Sequence, residues 1–132
     1  MRNRFMTLAA AALLLLILLA GCGQNGESYP GSLDTPYPLV EGFTINIHDE
    51  AKKFVVCSVT LEVGDQSFIK TLATREYRVR ELIIRTVSAK TLEQLSVHDI
   101  QTVLADELVE RINEEFETRA VKRLVFSTFY IH

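Results

Sequence analysis

The chain lacks tryptophan altogether and carries only two cysteines, three histidines and three prolines in 132 residues. His48, His98 and His132 are scattered, and none has a His or Cys partner at metal-ligand spacing, so no metal motif is present. His48-Asp49-Glu50 comes nearest to a ligand cluster, but it reads better as a strand end running into a polar turn. No Gly-rich phosphate loop occurs, and no cofactor is implied. Ser96 lies close to His98, yet it reads as a helix cap and not as a nucleophile. Glu110 and Glu114 read as one solvated helix face, not as an acid/base pair. Positive charge is also short, with 14 Lys and Arg against 17 Asp and Glu. A nucleic-acid binder needs a basic surface to displace counterions from phosphates, so that partner is excluded. The same deficit argues against a polybasic grip on anionic lipid.

What the chain does have is grease at its start. Arg2 and Arg4 form a positive n-region, and Phe5 to Leu18 is apolar apart from Thr7. Leu19-Ala20-Gly21-Cys22 follows at once. Charge, apolar stretch and small residues in that order make a secretory signal peptide over residues 1–21. Those four residues also resemble the lipobox of bacterial lipoproteins, which implies diacylglycerol on the Cys22 sulfur and cleavage before Cys22. The plain alternative is an uncleaved transmembrane anchor, for which the run falls short of the roughly 18 to 20 residues that span hydrocarbon. Acyl chains would hold the protein firmly, at about 0.8 kcal/mol per buried methylene. With Cys22 lipidated, Cys57 has no disulfide partner; its place on the apolar face of a strand predicts a buried, inert thiol.

Residues 22–39 read as the lipidated cysteine and a flexible linker, since Gly23 to Pro38 is rich in Gly, Ser, Pro and Asn without apolar periodicity. Residues 40–132 read as the extracytoplasmic domain, with about ninety residues for one modest core. Phe43, Ile45 and Ile47 alternate with polar residues as a strand. A polar connection over Asp49 to Lys53 leads to a second strand, in which Val55, Cys57, Val59, Leu61 and Val63 share one face. These two predict a hairpin with a loop of about five residues. From Gln66 to Lys90 the spacing of Leu72, Val79, Ile83 and Val87 predicts a helix, broken near Ala73-Thr74. Glu76 with Arg80, and Glu81 with Arg85, stand four apart in the favourable acid-first order. A second helix is expected from Ser96, capped by Ser96 with Asp99, its core stripe being Ile100, Leu104, Leu108, Ile112 and Phe116. Val121 to Ile131 is apolar on both faces and predicts a central strand. The order β-β-α-α-β gives an α+β fold, with helices packed on one face of a small sheet.

Several stretches resemble the FliL family of flagellar basal-body-associated proteins. Phe43-Thr44-Ile45-Asn46-Ile47 resembles the family's opening strand, and Thr60-Leu61-Glu62 the end of its second. Val79-Arg80-Glu81-Leu82-Ile83-Ile84 is similar to its Ile-Arg-Asp helix motif, with Glu81 where the family usually has Asp. Ser88-Ala89-Lys90-Thr91 with Leu95, the Ile112-Asn113 pair, and Val125 to His132 match later pieces in order and spacing. The turn at His98-Asp99-Ile100 lacks the family's common Gly. The resemblance implies a stomatin-like domain on the outer face of the cytoplasmic membrane. It implies association with flagellar stator complexes, support of torque or stator retention, and assembly into homo-oligomeric rings. Here a lipobox stands in place of the family's single transmembrane helix. Gly23 after Cys22, where Asp resembles an inner-membrane retention signal, leaves the outer membrane open as a destination.

Charge is segregated between the two expected helices. The first holds Arg75, Arg78, Arg80 and Arg85; the second holds Asp106, Glu107, Glu110, Glu114, Glu115 and Glu117 against Arg111. Pairing within the chain, or simple solvation, is one reading, since exposed ion pairs contribute only about 0–1 kcal/mol. A subunit interface is the other, with Arg75, Arg78 and Arg85 on one copy meeting Glu110 and Glu117 on the next in a contact that can close into a ring. With no catalytic constellation present, the chain reads as a noncatalytic, membrane-tethered interaction protein of the flagellar motor. The second reading is a lipoprotein scaffold or envelope-binding module unrelated to motility.

Overall fold

A computed structural model describes residues 34–132; the expected leader, Cys22 and the expected linker up to residue 33 lie outside the described residues. The first element is a strand that its prolines conceal. Thr35–Pro38 (β1) pairs antiparallel with a later strand, so the expected linker is shorter at its C-terminal end. Proline has no N–H to donate, so a strand holding Pro36 and Pro38 tolerates a neighbour on one side only. β1 has one such neighbour.

Phe43–Ile47 (β2) and Glu50–Val63 (β3) form a hairpin. Its turn is the two residues His48 and Asp49, not the expected loop of about five. Glu50 to Lys53 continue β3 with all four side chains exposed, and Glu50 pairs with Ile47 across an irregular register. Residues with no buried face carry no alternation, which is why they read as a loop.

β3 is the strand on which the sheet is built. Its residues 60–63 pair with β1, and 54–57 pair with β2. Val121–Ile131 (β4) pairs with β3 from Val63 back to Val55. A strand has only two edges, so β1 and β2 lie end to end along one edge of β3 and β4 lies along the other. Leu39 bridges the first two by donating its N–H to the Val59 carbonyl, 3.0 Å away. The expectation that β4 is central is therefore corrected: β3 is central and β4 is an edge strand. The apolar residues on both faces of β4 misled because only its first half is buried. Val121 and Leu124 face the core, whereas Val125, Phe126, Phe129 and Ile131 are half-exposed.

Gln66–Ser88 (α1) starts at Asp65, whose carboxylate accepts hydrogen bonds from the Ser67 N–H and hydroxyl. Those bonds hold the Asp65 carboxyl below its ordinary pKa. The expected break in α1 falls at Arg75, whose φ of −122° and ψ of 24° leave the helical region. Leu92–Leu95 (α2) is a single turn with a capping box between Thr91 and Gln94. The cap expected at Ser96 is thus displaced, and the Ser96 hydroxyl donates back to the Leu92 carbonyl. Ile100–Glu115 (α3) follows with no side-chain cap. Among the described residues the order is β-β-β-α-α-α-β, one strand and one short helix more than expected. It is a mixed α+β fold with an antiparallel sheet.

The helices cover one face of that sheet, α1 over β2 and β3, α3 over β4. Phe43, Ile45 and Ile47 of β2 and Val55 to Val63 on alternate positions of β3 meet Leu72, Val79, Ile83, Leu104, Leu108 and Ile112. Cys57 is fully buried in this layer, and burial pushes its thiol up to about 11. A thiol so protonated at neutral pH is a weak nucleophile. No helix among the described residues is long and apolar enough to cross a membrane.

Candidate interaction surface

Side chains at the two lateral rims of the helical layer are the ones the core does not use. On the α1 rim, Arg80 reaches over the start of β2. Its Nη1 donates to the Glu41 carbonyl at 2.8 Å and its Nη2 to the Gly42 carbonyl at 3.4 Å. Its guanidinium carbon sits 4.3 Å from the centre of the Phe43 ring. Arg80 is thus held by two carbonyls and a π face, with no carboxylate beside it. Its expected partner, Glu76, accepts instead from the Tyr37 hydroxyl at 2.8 Å and fastens β1 to α1. Burial first, then the bond to Glu76, push the Tyr37 phenol up to about 12.

Beside Arg80 the same rim exposes apolar surface. Tyr77 is 65% exposed and Ile84 45%, and these two line a shallow groove with Arg80, Glu81 and Arg85. They stand seven residues apart, two helical turns, on a stripe separate from the buried one. Reading only the strongest stripe of α1 missed them; a second count at the same period would have found the pair.

Of the cations expected at a subunit contact, Arg85 lines this groove, and Arg75 and Arg78 do not. Arg78 bonds Glu115 at 3.2 Å, spanning the groove between α1 and α3. Arg85 pairs with Glu81 one turn back on its own helix. Arg75 lies at the break in α1, exposed and without an ion pair. Intramolecular pairing therefore accounts for two of the three. Nearby, Lys90 bonds Glu107 at 2.8 Å, and Arg111 bonds the other oxygen of the same carboxylate at 2.9 Å. Burial alone would raise Glu107, but these two cations outweigh it and hold the carboxyl below its ordinary range.

At the α3 rim three acids are exposed and unpaired. Glu110 and Glu117 lie together in an open cleft of about 760 Å³, lined also by Val109, Asn113, Glu114 and Arg119. None of Glu110, Glu114 and Glu117 makes an ion pair or side-chain hydrogen bond among the described residues. One wall of this cleft is built by Asn113. Its amide nitrogen donates to the Val121 carbonyl at 2.9 Å, and its amide oxygen accepts from the Val121 N–H at 3.2 Å. Gly64 donates to the Ala120 carbonyl, so the main-chain groups of Val121 point away from β3. Asn113 thus occupies the outer edge of β4 where another strand would sit, and protects it. The helix then ends on a left-handed residue, Glu117, with φ of 49°. The Thr118 N–H bonds the Asn113 carbonyl at 2.9 Å and the Glu117 N–H bonds the Glu114 carbonyl at 3.1 Å. That is a Schellman ending, with Glu at the position glycine usually fills.

Among the described residues no group of three or more His, Cys, Asp or Glu is placed to hold a metal ion. Cys22, the expected lipid site, lies outside the described residues.

Comparison with known proteins bears on this domain directly. The flagellar protein FliL of Aquifex aeolicus (strain VF5) is 29% identical over 103 residues, covering 77% of this chain and 64% of that protein. The chain therefore aligns with less than two thirds of that relative. The family model described as flagellar basal body-associated protein FliL matches residues 37–131. That span runs from within β1 to the last residue of β4 and takes in every element between. The domain with its clamped β4 and its two unlike rims accordingly belongs to the FliL family of flagellar basal body-associated proteins.

Proposed function

We propose that this chain is a noncatalytic accessory of the flagellar motor, tethered to the membrane by acyl chains on Cys22, that acts on stator complexes by contact. The observation that carries this reading is the family match across the whole domain, residues 37–131. The architecture suits it. The core is closed, the larger clefts are open and lie at the rims, and the exposed carboxylates of the α3 cleft have no ion pair among the described residues. A stomatin-like domain that self-associates beside the stators would support torque or stator retention without bond chemistry. Lipidation places the domain at the outer face of the cytoplasmic membrane, and it removes the family's transmembrane helix as a contact with stator helices.

A fluorescently tagged chain expressed in its own host tests the reading. Foci should coincide with the motors, and deletion of the gene should weaken swimming, most under viscous load. Diffuse envelope fluorescence together with unimpaired swimming would sink it. Cys22→Ser should block lipid labelling and leave unprocessed precursor, and unchanged processing would restore the plain anchor.

A further inference from the structure

The two rims are complementary to each other, yet they lie on opposite sides of the domain. β2 and β4 flank β3 on its two edges, α1 packs over β2, and α3 packs over β4. The Tyr77–Ile84 stripe sits with Arg80 above the β2 edge, and the Glu110–Glu117 cleft opens beside the β4 edge. Surfaces on opposite sides of one molecule cannot meet within it. They meet between copies related head to tail.

We propose that the α1 rim of one copy docks into the α3 cleft of the next. This deepens the self-association in the function proposed above and assigns it a surface. Tyr77 and Ile84 lie against Val109, the apolar residue of the cleft. Arg80, which has no carboxylate of its own, and Arg85 face Glu110, Glu114 and Glu117, which have no cation of their own. Glu81 on the rim faces Arg119 in the cleft. The rim therefore brings cations to a cleft dominated by carboxylates, and two half-exposed apolar side chains lose their water. The occupant is a second copy because both halves of the match stand on this one chain. Arg78, held by Glu115 in the groove between the helices, takes no part.

Cross-linking of the full chain in membranes tests this contact. Ile84→Cys and Glu110→Cys are placed on the same chain, on separate chains expressed together, and each alone. A short bis-maleimide is then applied, with the unsubstituted chain, which keeps Cys22 and buried Cys57, as background. The doubly substituted chain should give a ladder, the mixture one dimer band, and each single variant nothing above background. Absence of both ladder and mixed dimer overturns the contact. A dimer from Ile84→Cys alone also overturns it, because that is a symmetric contact. Adding Tyr77→Asp to the doubly substituted chain should reduce the ladder at least tenfold with the melting temperature unchanged, and an undiminished ladder counts against the proposal. Motor localisation is scored separately. A chain that forms foci at motors but no ladder overturns this contact alone, and a ladder without foci overturns only the motor role.

Discussion

The inner face of the sheet and the rims of the helical layer follow different rules. On the inner face apolar side chains close over one another; Val55, Cys57, Leu61 and Val63 meet Leu72, Ile83, Leu104 and Leu108 with no surface left to solvent, and among the described residues the Thr86 hydroxyl is the buried polar group without a hydrogen-bond partner. At the rims, apolar groups stay wet and acids stay unpaired, while one arginine holds only carbonyls and a ring. Stability is concentrated in the first region, and the second is free to vary for contact. The comparison predicts that substitutions divide cleanly, with inner-face changes costing folding energy and rim changes sparing it.

The severest challenge to that division is Leu108→Ala. It leaves a cavity at the centre of α3's buried stripe and should cost about 2–5 kcal/mol in denaturant unfolding. A cost under 1 kcal/mol would mean that the inner face is not close-packed. Asn113→Ala comes next, because Asn113 belongs to both regions. It strips the partners from the Val121 N–H and carbonyl and should cost about 1–3 kcal/mol. Amide exchange at Val121 should quicken in the same variant, and unchanged exchange would show that the edge is protected by something else. Glu117→Gly runs the other way. Relief of a left-handed non-glycine residue should stabilise the domain by about 1 kcal/mol. A rim residue that weakens folding is what a contact surface tolerates; a destabilised Glu117→Gly variant would remove Glu117 from that class.

The smallest effect is set by pH. The Tyr37 phenol is raised in the folded state to about 12, against an unfolded value near 10. Below about pH 10 its contribution is fully present; between there and 12 the unfolded chain releases its proton first, and stability falls as pH rises. Tyr37→Phe should flatten that alkaline decline, measured by unfolding at pH 9 and 11. An identical decline in both proteins would place the titrating group elsewhere.

The buried half of the molecule was largely legible in the sequence, and the rims were not. Alternation identified Phe43-Ile45-Ile47 and Val55 to Val63, and four-residue spacing identified Leu104, Leu108 and Ile112, because burial imprints its period on residue type. β1 escaped because Pro36 and Pro38 mimic a linker, and the Glu50–Lys53 extension escaped because it has no buried face. Thr91 with Gln94 and Ser96 with Asp99 are both plausible caps in sequence; what separates them is the short turn α2, which no periodicity announces. The charge asymmetry that includes Arg78 and Arg85 is visible in the sequence, but their partners depend on which way each helix faces. Glu115 is reached across an interhelical groove whose rotation the sequence does not encode locally.

One strand, β3, carries every pairing in the sheet, and its longest ladder is with β4, the last element of the domain. Its hairpin with β2 can zip from a two-residue turn within microseconds, whereas the ladder joining Cys57 to Phe129 must wait for all three helices to be synthesised and the intervening segment to close. A nascent chain stalled before Val121 therefore presents a naked strand edge, the state in which a chaperone would meet it.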